Sequence, residues 1–209
     1  AFLSDWSATT KKNVAGAAYY PPAERFTDNM LQVLSSGPLG KWRTLLQADS
    51  FAVARAARRI WIETPYYLPS ETLNAALQEA ALAGLDVRLM LPERSDSRAV
   101  DLAVHSYLDD MMRAGVKIAF YTPGFLHSKL LIIDDDLTVI GSANMDFRSF
   151  EHNFEISAFV FDRDFNARMT AIYEEDLRRC RRLTPEAWFG RPRRRRWAES
   201  FMRIFSPLL

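Results

Sequence analysis

Apolar positions follow two alternating spacings from about residue 30 onward. Short, nearly continuous apolar runs predict strands, and apolar residues three or four apart predict helices. The predicted strands are Met30–Leu34, Ile60–Thr64, Val87–Leu91, Val116–Tyr121, Lys129–Ile133, Thr138–Ile140 and Phe154–Phe161. The predicted helices are Lys41–Arg59, Glu71–Ala83, Ser97–Ala114 and Asp164–Arg179. This order predicts an α/β fold, a sandwich with a mixed, mostly parallel sheet that helices cover on both faces.

Polar and glycine residues mark several ends of these elements. Ser70 is a suitable N-cap for the second helix, and Gly84 and Gly115 follow the second and third helices. Glycine commonly ends a helix because it adopts a left-handed conformation without a steric penalty. The acidic run Asp134–Asp136 predicts a turn between two neighbouring strands.

The two ends of the chain depart from the alternation. Residues 1–28 include the run Tyr-Tyr-Pro-Pro, which disfavours both a helix and a central strand, so we expect a linker there. Residues 29–180 form the predicted globular domain. Residues 181–209 are expected to be an arginine-rich amphipathic tail with large apolar side chains at helical spacing, namely Trp197, Phe201, Ile204, Phe205 and Leu208.

Charge is concentrated in that tail. Residues 1–170 carry 17 basic and 21 acidic side chains, whereas residues 171–209 carry 10 and 5, although the whole chain has a net charge of only +1. An arginine cluster beside large apolar side chains is typical of a helix that lies on an anionic membrane surface. A helix docked on the protein's own core is the alternative interpretation.

Composition narrows the class of protein. In 209 residues, 48% hydrophobic and 25% charged side chains exclude a disordered chain and a disulfide scaffold. The single cysteine, Cys180, cannot form an internal disulfide, and with three histidines it cannot complete an all-Cys/His zinc site, although carboxylates could still bind another metal. No apolar stretch reaches the roughly 20 residues of a membrane-spanning helix.

Four polar side chains cluster around two neighbouring predicted strands. His127 and Lys129 are two positions apart and therefore share one face of an extended strand. Ser142 and Asn144 have the same spacing beyond the next strand, and Gly141 would let a ligand or backbone approach closely. Folding one strand back on the other would bring imidazole, ammonium, hydroxyl and amide groups into a small area.

Such a group of side chains suits a phosphodiester. Lysine supplies positive charge to the non-bridging oxygens, and serine and asparagine donate hydrogen bonds to them without a metal. Neutral histidine can attack phosphorus, and protonated histidine can protonate a leaving oxygen. Glu155 on the following strand is a candidate to orient the imidazole of His127.

The spacing of these residues resembles the signature of the phospholipase D superfamily: His127-x-Lys129, Asp134, then Gly141-Ser142-x-Asn144. The run from Asn144 to Phe150, followed by Asn153, Phe154 and Glu155, is similar to the second signature block of bacterial cardiolipin synthases. The segment Thr64–Pro69 and the terminal Ser-Pro-Leu-Leu are similar to the same proteins. The resemblance implies a phospholipase D-like α/β/α sandwich, with residues 29–180 as the catalytic domain.

The resemblance also implies a two-step exchange at phosphorus with no cofactor and no metal. His127 corresponds to one histidine of a pair that act as nucleophile and general acid. Lys129 and Asn144 match phosphate-binding positions, Ser142 a supporting one, and Glu155 the residue that orients histidine. Asp134 matches the signature aspartate, to which we assign a structural role within the catalytic motif because it faces away from His127 along an ideal strand.

Relatives of this kind carry two signatures in one polypeptide, and this chain carries one. The second signature would come from a preceding half of a longer chain, of which residues 1–28 would be a remnant, or from a homodimer. We expect phosphatidylglycerol and an anionic membrane surface as partners, at the bacterial cytoplasmic membrane. N-terminal membrane helices preceding this segment would provide an anchor.

The expected activity is transfer of a phosphatidyl group between two phosphatidylglycerol molecules, giving cardiolipin and glycerol through a phosphohistidine. A hydrolytic phospholipase D or a phosphatidylserine synthase is the alternative, since the same side chains serve any acceptor alcohol or water. A phosphodiesterase acting on nucleic acid fits less well, because the acidic body of the chain offers no broad basic face. We therefore expect no nucleic acid among the partners.

Overall fold

The structure, a computed structural model, describes residues 2–22 and 28–208; residues 1, 23–27 and 209, parts of the predicted linker and tail, lie outside the described residues. The helices are α1 (Phe2–Thr10), α2 (Thr44–Ala54), α3 (Glu71–Leu82), α4 (Arg98–Arg113), α5 (Arg163–Arg178), α6 (Pro185–Phe189) and α7 (Arg193–Arg203). The strands are β1 (Met30–Ser36), β2 (Arg59–Glu63), β3 (Tyr67–Leu68), β4 (Asp86–Pro92), β5 (Lys117–Tyr121), β6 (Leu130–Ile133), β7 (Leu137–Gly141), β8 (Met145–Asp146), β9 (Glu155–Phe161) and β10 (Cys180–Arg182).

The α/β class is confirmed, but the expectation of a mostly parallel sheet is wrong. The main sheet has the order β1-β9-β7-β6-β2-β4-β5-β10. Within it only β2–β4 and β4–β5 pair in parallel, and every other neighbouring pair of the described strands is antiparallel. Long helical crossovers through α3 and α4 produce the parallel pairs, whereas the short turn between β6 and β7 can only join antiparallel strands.

Helices cover both faces of the sheet, as expected. Along β2, Ile60 and Ile62 point into the larger core formed with α2, α3 and α4, while Trp61 points to the opposite face. There Trp61 packs against Tyr173 of α5 with the ring centroids 5.0 Å apart. Because these strands are buried on both faces, their sequences lack polar alternation. The Ser70 cap is also confirmed, since its side chain accepts a hydrogen bond from the Leu73 amide.

The C-terminal segment packs on the body of the domain. The boundary at residue 180 falls within β10, which pairs with β5 at the edge of the sheet. Trp188 of α6 is buried in the larger core, and α7 lies against α4 through the buried Glu199. Near the other end, Phe2–Thr10 of the predicted linker forms a helix. No helix among the described residues is long and apolar enough to cross a bilayer.

Asp49 of α2 is a buried carboxyl whose Oδ1 has no hydrogen-bond partner. Burial raises its pKa to about 7. A raised pKa in the folded state means that the protein loses stability as pH rises from the unfolded value toward 7. We therefore expect Asp49→Asn to stabilise the chain, with a gain in the free energy of unfolding roughly 4 kcal/mol larger at pH 8 than at pH 4. Urea denaturation at the two pH values measures this, and an equal gain at both would contradict the account.

Candidate active site

The predicted site residues lie at one end of the β6–β7 hairpin. His127 and Lys129 precede β6, and Ser142 and Asn144 follow β7, in a register that pairs Leu130 with Ile140. The hairpin therefore brings the two halves of the motif to the same edge of the sheet. Strand β9 lies close to Gly141, since a Cβ atom at this position would collide with the carbonyl oxygen of Ile156.

Lys129 provides the positive charge of the site. Its Nζ lies 3.1 Å from the carbonyl oxygen of His127, to which it donates a hydrogen bond. Burial lowers the pKa of Lys129, and the nearby carboxylates of Glu155 and Asp146 oppose that shift. An ammonium group donates up to three hydrogen bonds, so Lys129 can bind a phosphate oxygen while it keeps this contact.

Ser142 and Glu155 form a hydrogen-bonded pair across the β7–β9 pairing. The Ser142 hydroxyl donates to Glu155 and accepts from the Ile156 amide at 3.0 Å. The other carboxylate oxygen of Glu155 accepts from Nδ2 of Asn153 at 3.2 Å. Because Glu155 begins β9, which pairs with β7 and not with β6, the structure places it against Ser142, and it forms no hydrogen bond to His127. Its predicted role as an orienter of His127 stays a prediction.

Asn144 is held by a second carboxylate. Its Nδ2 donates to Asp146 at 3.0 Å, and its backbone amide donates to the Ser149 hydroxyl at 3.1 Å. Oδ1 of Asn144 is buried without a partner. Of the predicted phosphate ligands, Ser142 already donates its one proton to a carboxylate, whereas Asn144 keeps one N–H and Lys129 two N–H groups for a ligand.

His127 is exposed at the edge of this cluster. Its ring lies 5.4 Å from the ring of Phe125, which in turn lies 6.2 Å from Tyr66. The imidazole forms no hydrogen bond with the described residues, so both of its nitrogens are accessible to a ligand. Nor do three His, Cys, Asp or Glu side chains converge to hold a metal ion within residues 2–22 and 28–208.

Asp134 lies at the other end of β6, away from the cluster. Its carboxylate accepts hydrogen bonds from the backbone amides of Ala57, Arg58 and Arg59, at distances from 2.7 to 3.2 Å. These amides belong to the end of the loop that leads into β2 and to the first residue of that strand. Asp134 therefore fixes the start of β2 against the β6–β7 turn. Its role within the catalytic motif stays a prediction.

Replacing Asp134 with alanine should destabilise the fold by about 2–3 kcal/mol, because three backbone amides lose their charged acceptor. The matched control is Asp136→Ala in the same turn, an exposed side chain whose loss should change stability by less than about 0.5 kcal/mol. The free energy of unfolding in urea measures both effects. Equal values for the two variants would show that the amide contacts contribute little.

A groove of about 730 Å³ opens beside Lys129 and Ser142. Most of its wall is apolar, with Leu126, Ile140, Met169 and Ile172 among the lining residues. Glu63 also lines it; burial raises the pKa of this carboxyl, although a hydrogen bond from Ser128 opposes the shift. A cationic group on an apolar wall can hold a phosphate that is attached to a hydrocarbon portion.

Residues 52–177 match the family described as "Cardiolipin synthase, PLD-like domain". The chain belongs to this family. Cardiolipin synthase 2 of Bacillus cereus is 40% identical over 210 residues, which cover 100% of this chain and 41% of that relative. Cardiolipin synthase of a Geobacillus species is 40% identical over 210 residues, covering 100% of this chain and 42% of the relative. The whole chain therefore spans about two fifths of the length of these curated relatives, in their C-terminal part.

Solved structures share the fold of this PLD-like domain. Nuc from Salmonella typhimurium, a phospholipase D family member, has a TM-score of 0.62 at 20% identity and covers 75% of this chain and 99% of its own. A phosphatidylserine synthase from Haemophilus influenzae has a TM-score of 0.66 at 14% identity, covering 85% and 45% respectively. At this level of identity the two structures support the fold alone, and they confirm the predicted phospholipase D-like sandwich.

Sequence reasoning missed two carboxylates of the PLD-like domain's site. Asp146 accepts a hydrogen bond from Asn144, and its charge opposes the lowering of the pKa of Lys129. Glu63 is buried in the groove and accepts a hydrogen bond from the Ser128 hydroxyl. Asp146 stands two positions after Asn144, a spacing that could have indicated it. Glu63 follows the apolar run Ile60–Ile62 at the end of β2, and a charged residue at the end of a buried strand is the signal for it.

Proposed function

We propose that this PLD-like domain is one catalytic half of a cardiolipin synthase that transfers a phosphatidyl group between two phosphatidylglycerol molecules. The observation that carries the proposal is the position of Lys129 on the wall of a largely apolar groove. A nucleic-acid phosphate would need polar surroundings, whereas the apolar lining suits the hydrocarbon part of a lipid. The 40% identity to cardiolipin synthases over the whole chain supports the same reaction.

The reaction consists of two displacements at phosphorus. A neutral imidazole nitrogen of one histidine attacks, the bond between phosphorus and the headgroup glycerol oxygen breaks, and a second, protonated histidine gives glycerol its proton. The now neutral second histidine takes a proton from the hydroxyl of another phosphatidylglycerol. That oxygen attacks phosphorus, the phosphorus–nitrogen bond breaks, and cardiolipin forms. His127 is one member of this pair.

The remaining site residues bind and position the phosphate. Lys129 neutralises the non-bridging oxygens, and Asn144, held by Asp146, adds a hydrogen-bond donor. Ser142 is a supporting ligand that would exchange its hydrogen bond with Glu155 for one to phosphate. Glu155 acts through Ser142 and is therefore a positioning residue. The second histidine comes from another signature-bearing half, in the same longer chain or in a second copy.

The exposed face of α7 is the proposed contact with the membrane. Trp197, Phe201 and Ile204 are 76%, 60% and 71% exposed, while Glu199 on the opposite side of the helix is buried against α4. Arginines flank the exposed stripe, and they would attract anionic headgroups. Under this proposal the docked-helix interpretation describes the buried side of α7, and the membrane interpretation describes its exposed side. The domain would contact the bacterial cytoplasmic membrane peripherally.

Replacing Trp197 and Phe201 together with alanine should weaken binding to phosphatidylglycerol vesicles at least about tenfold, because two large apolar side chains no longer insert. The control is Phe51→Ala with Leu82→Ala, which removes two exposed apolar side chains from α2 and α3. Vesicle flotation measures binding. Equal weakening by the two pairs would show that α7 has no special part in the contact.

Lipid product analysis tests the proposed reaction. The longer protein is incubated with phosphatidylglycerol vesicles in a buffer that contains a chelator, and the products are measured by mass spectrometry. We expect cardiolipin and glycerol in equal amounts. Phosphatidic acid in place of cardiolipin would identify a hydrolase, and unchanged lipid with cleavage of added DNA would identify a nuclease.

A further inference from the structure

A second cavity, of about 780 Å³, lies at the other edge of the sheet from the β1–β9 pair. It opens between the loop after β4, the first turns of α4, strand β10 and the helices α6 and α7. Five arginines line it, namely Arg94, Arg98, Arg181, Arg191 and Arg195. None of its lining residues lines the groove beside Lys129, so the two sites are separate.

The five arginines differ in how far their charge is already neutralised. Arg191 contacts Asp109 and Glu199, and Arg195 contacts Glu199. Arg181 pairs with Glu93 at 2.9 Å. These three arginines are therefore held in place by carboxylates.

Arg94 and Arg98 are different, because both are exposed and their side chains form no hydrogen bond or ion pair with other described residues. The remaining acid of the cavity lining, Asp101, accepts a hydrogen bond from the Ser95 amide at 2.9 Å. The cavity thus presents two unpaired guanidinium groups beside a framework of arginines with fixed positions. Guanidinium groups bind phosphate oxygens in a bidentate manner, so this is an arrangement that suits a phosphate.

The floor of the cavity is apolar and aromatic. Phe120, Trp188, Leu102 and Leu183 contribute to its lining. Two of the arginines stack on this floor: Arg191 lies 3.9 Å from the Trp188 ring centroid and Arg181 5.2 Å from that of Phe120. A site with cations at the rim and hydrocarbon below accommodates a phosphate that carries an apolar group better than a free phosphate ion.

We propose that this cavity binds the phosphodiester headgroup of an anionic phospholipid at a site distinct from the active-site groove. Arg94 and Arg98 bind the phosphate oxygens, and the half-buried Leu102 and Leu183 of the lining contact the first carbons of the lipid. α7 contributes Arg195 to the cavity from the side of the helix that carries Glu199, and its opposite side is the proposed membrane contact. The choice of a lipid over a soluble phosphate ester rests on the proposed function, but the affinity for phosphate does not.

The test is a calorimetric titration of the chain with dihexanoyl-phosphatidylglycerol below its critical micelle concentration. All variants carry Lys129→Ala, which removes the cation of the active-site groove, so that the remaining binding reports the arginine cavity. Arg94→Gln with Arg98→Gln is compared with Arg163→Gln and Arg168→Gln, a control that removes the same charge from exposed positions of α5. Glycerol 3-phosphate is titrated in parallel as the soluble phosphate ester.

We expect the dissociation constant for the lipid to rise at least about tenfold when Arg94 and Arg98 are replaced, and to change less than about twofold in the control. An equal change in the two pairs, or no change in either, would overturn the proposal. Glycerol 3-phosphate could also bind as tightly as the lipid and depend in the same way on Arg94 and Arg98. That result would overturn the choice of a lipid over a soluble phosphate ester as the ligand. Since the titration measures binding and not turnover, its result is independent of the proposed reaction.

Discussion

Replacing His127 with alanine is expected to lower kcat for cardiolipin formation in the longer protein by at least about three orders of magnitude. In the proposed reaction His127 supplies either the nucleophile or the proton transfer, and no other described side chain is placed to replace it. His105 is buried against Trp188 and Phe120, with ring centroids 5.4 and 5.6 Å away, so it cannot reach a substrate in the groove.

His152→Ala is the matched control for that experiment. His152 is exposed, like His127, but lies in the short helical turn Arg148–His152 and has no lysine two positions further on. We expect this variant to retain full turnover. Radiolabelled phosphatidylglycerol and separation of the lipid products give both rates. Retention of more than a trace of activity by the His127 variant would refute its assigned role.

Glu199→Ala is expected to destabilise the chain by about 3–5 kcal/mol. Glu199 is 1% exposed and accepts hydrogen bonds from Arg191 and Arg195, which anchor α7 to the body of the domain. Removing the carboxylate would leave Arg191, whose side chain is 8% exposed, without one of its two acidic partners. Breaking a buried ion pair from one side is costly because the other charge stays desolvated.

The pKa of Glu199 also indicates that neighbouring groups stabilise its buried carboxylate. Burial would raise it, but the hydrogen bonds from Arg191 and the His105 ring 3.7 Å away outweigh burial and hold the pKa below its ordinary value. Stability that depends on a lowered carboxyl pKa is present at neutral pH and is lost as pH falls through the folded-state value. The penalty of Glu199→Ala should therefore shrink in acid.

Urea denaturation at pH 7 and in acid measures the two effects, with Glu186→Ala of α6 as the control. Glu186 is exposed, and its side chain forms no ion pair with the residues that the structure describes, so its loss should change stability by about 0.5 kcal/mol or less. If the two variants lost the same free energy at pH 7, the charge cluster under α7 would not contribute to stability.

Much of the fold could be predicted because the apolar pattern is strong. Every strand and helix expected between residues 30 and 179 is present, with boundaries that differ by a few residues for most elements. The largest error is the helix expected over Lys41–Arg59, since the observed helix is only Thr44–Ala54. It ends early because the backbone amides of residues 57–59 donate to Asp134, which directs the chain into β2. That contact joins positions far apart in sequence.

The direction of the strands could not be predicted in the same way. An apolar run indicates burial on both faces, but it does not show whether a neighbour runs parallel or antiparallel. The alternation of strands and helices favoured a parallel sheet, whereas β1 and β10 join its two edges in antiparallel pairs with distant partners.

The motif of the candidate site could be recognised from spacing, but its hydrogen bonds could not. Spacing placed His127 and Lys129 on one face and brought Ser142 near them. The contact of Glu155 with Ser142 follows from the pairing of β9 with β7, which no local pattern indicates. The arginine cavity likewise depends on the packing of α7 against α4, a tertiary contact.

The central claim, two displacements at phosphorus through a phosphohistidine, is tested most directly by the stereochemistry at phosphorus. The longer protein would receive phosphatidylglycerol whose phosphorus is chiral through oxygen isotopes and sulfur, and the configuration of the product would be determined by ³¹P NMR. Each in-line displacement inverts phosphorus, so the covalent route predicts overall retention. Inversion would show that the acceptor attacks the lipid directly, and would contradict the role proposed for His127 and its partner.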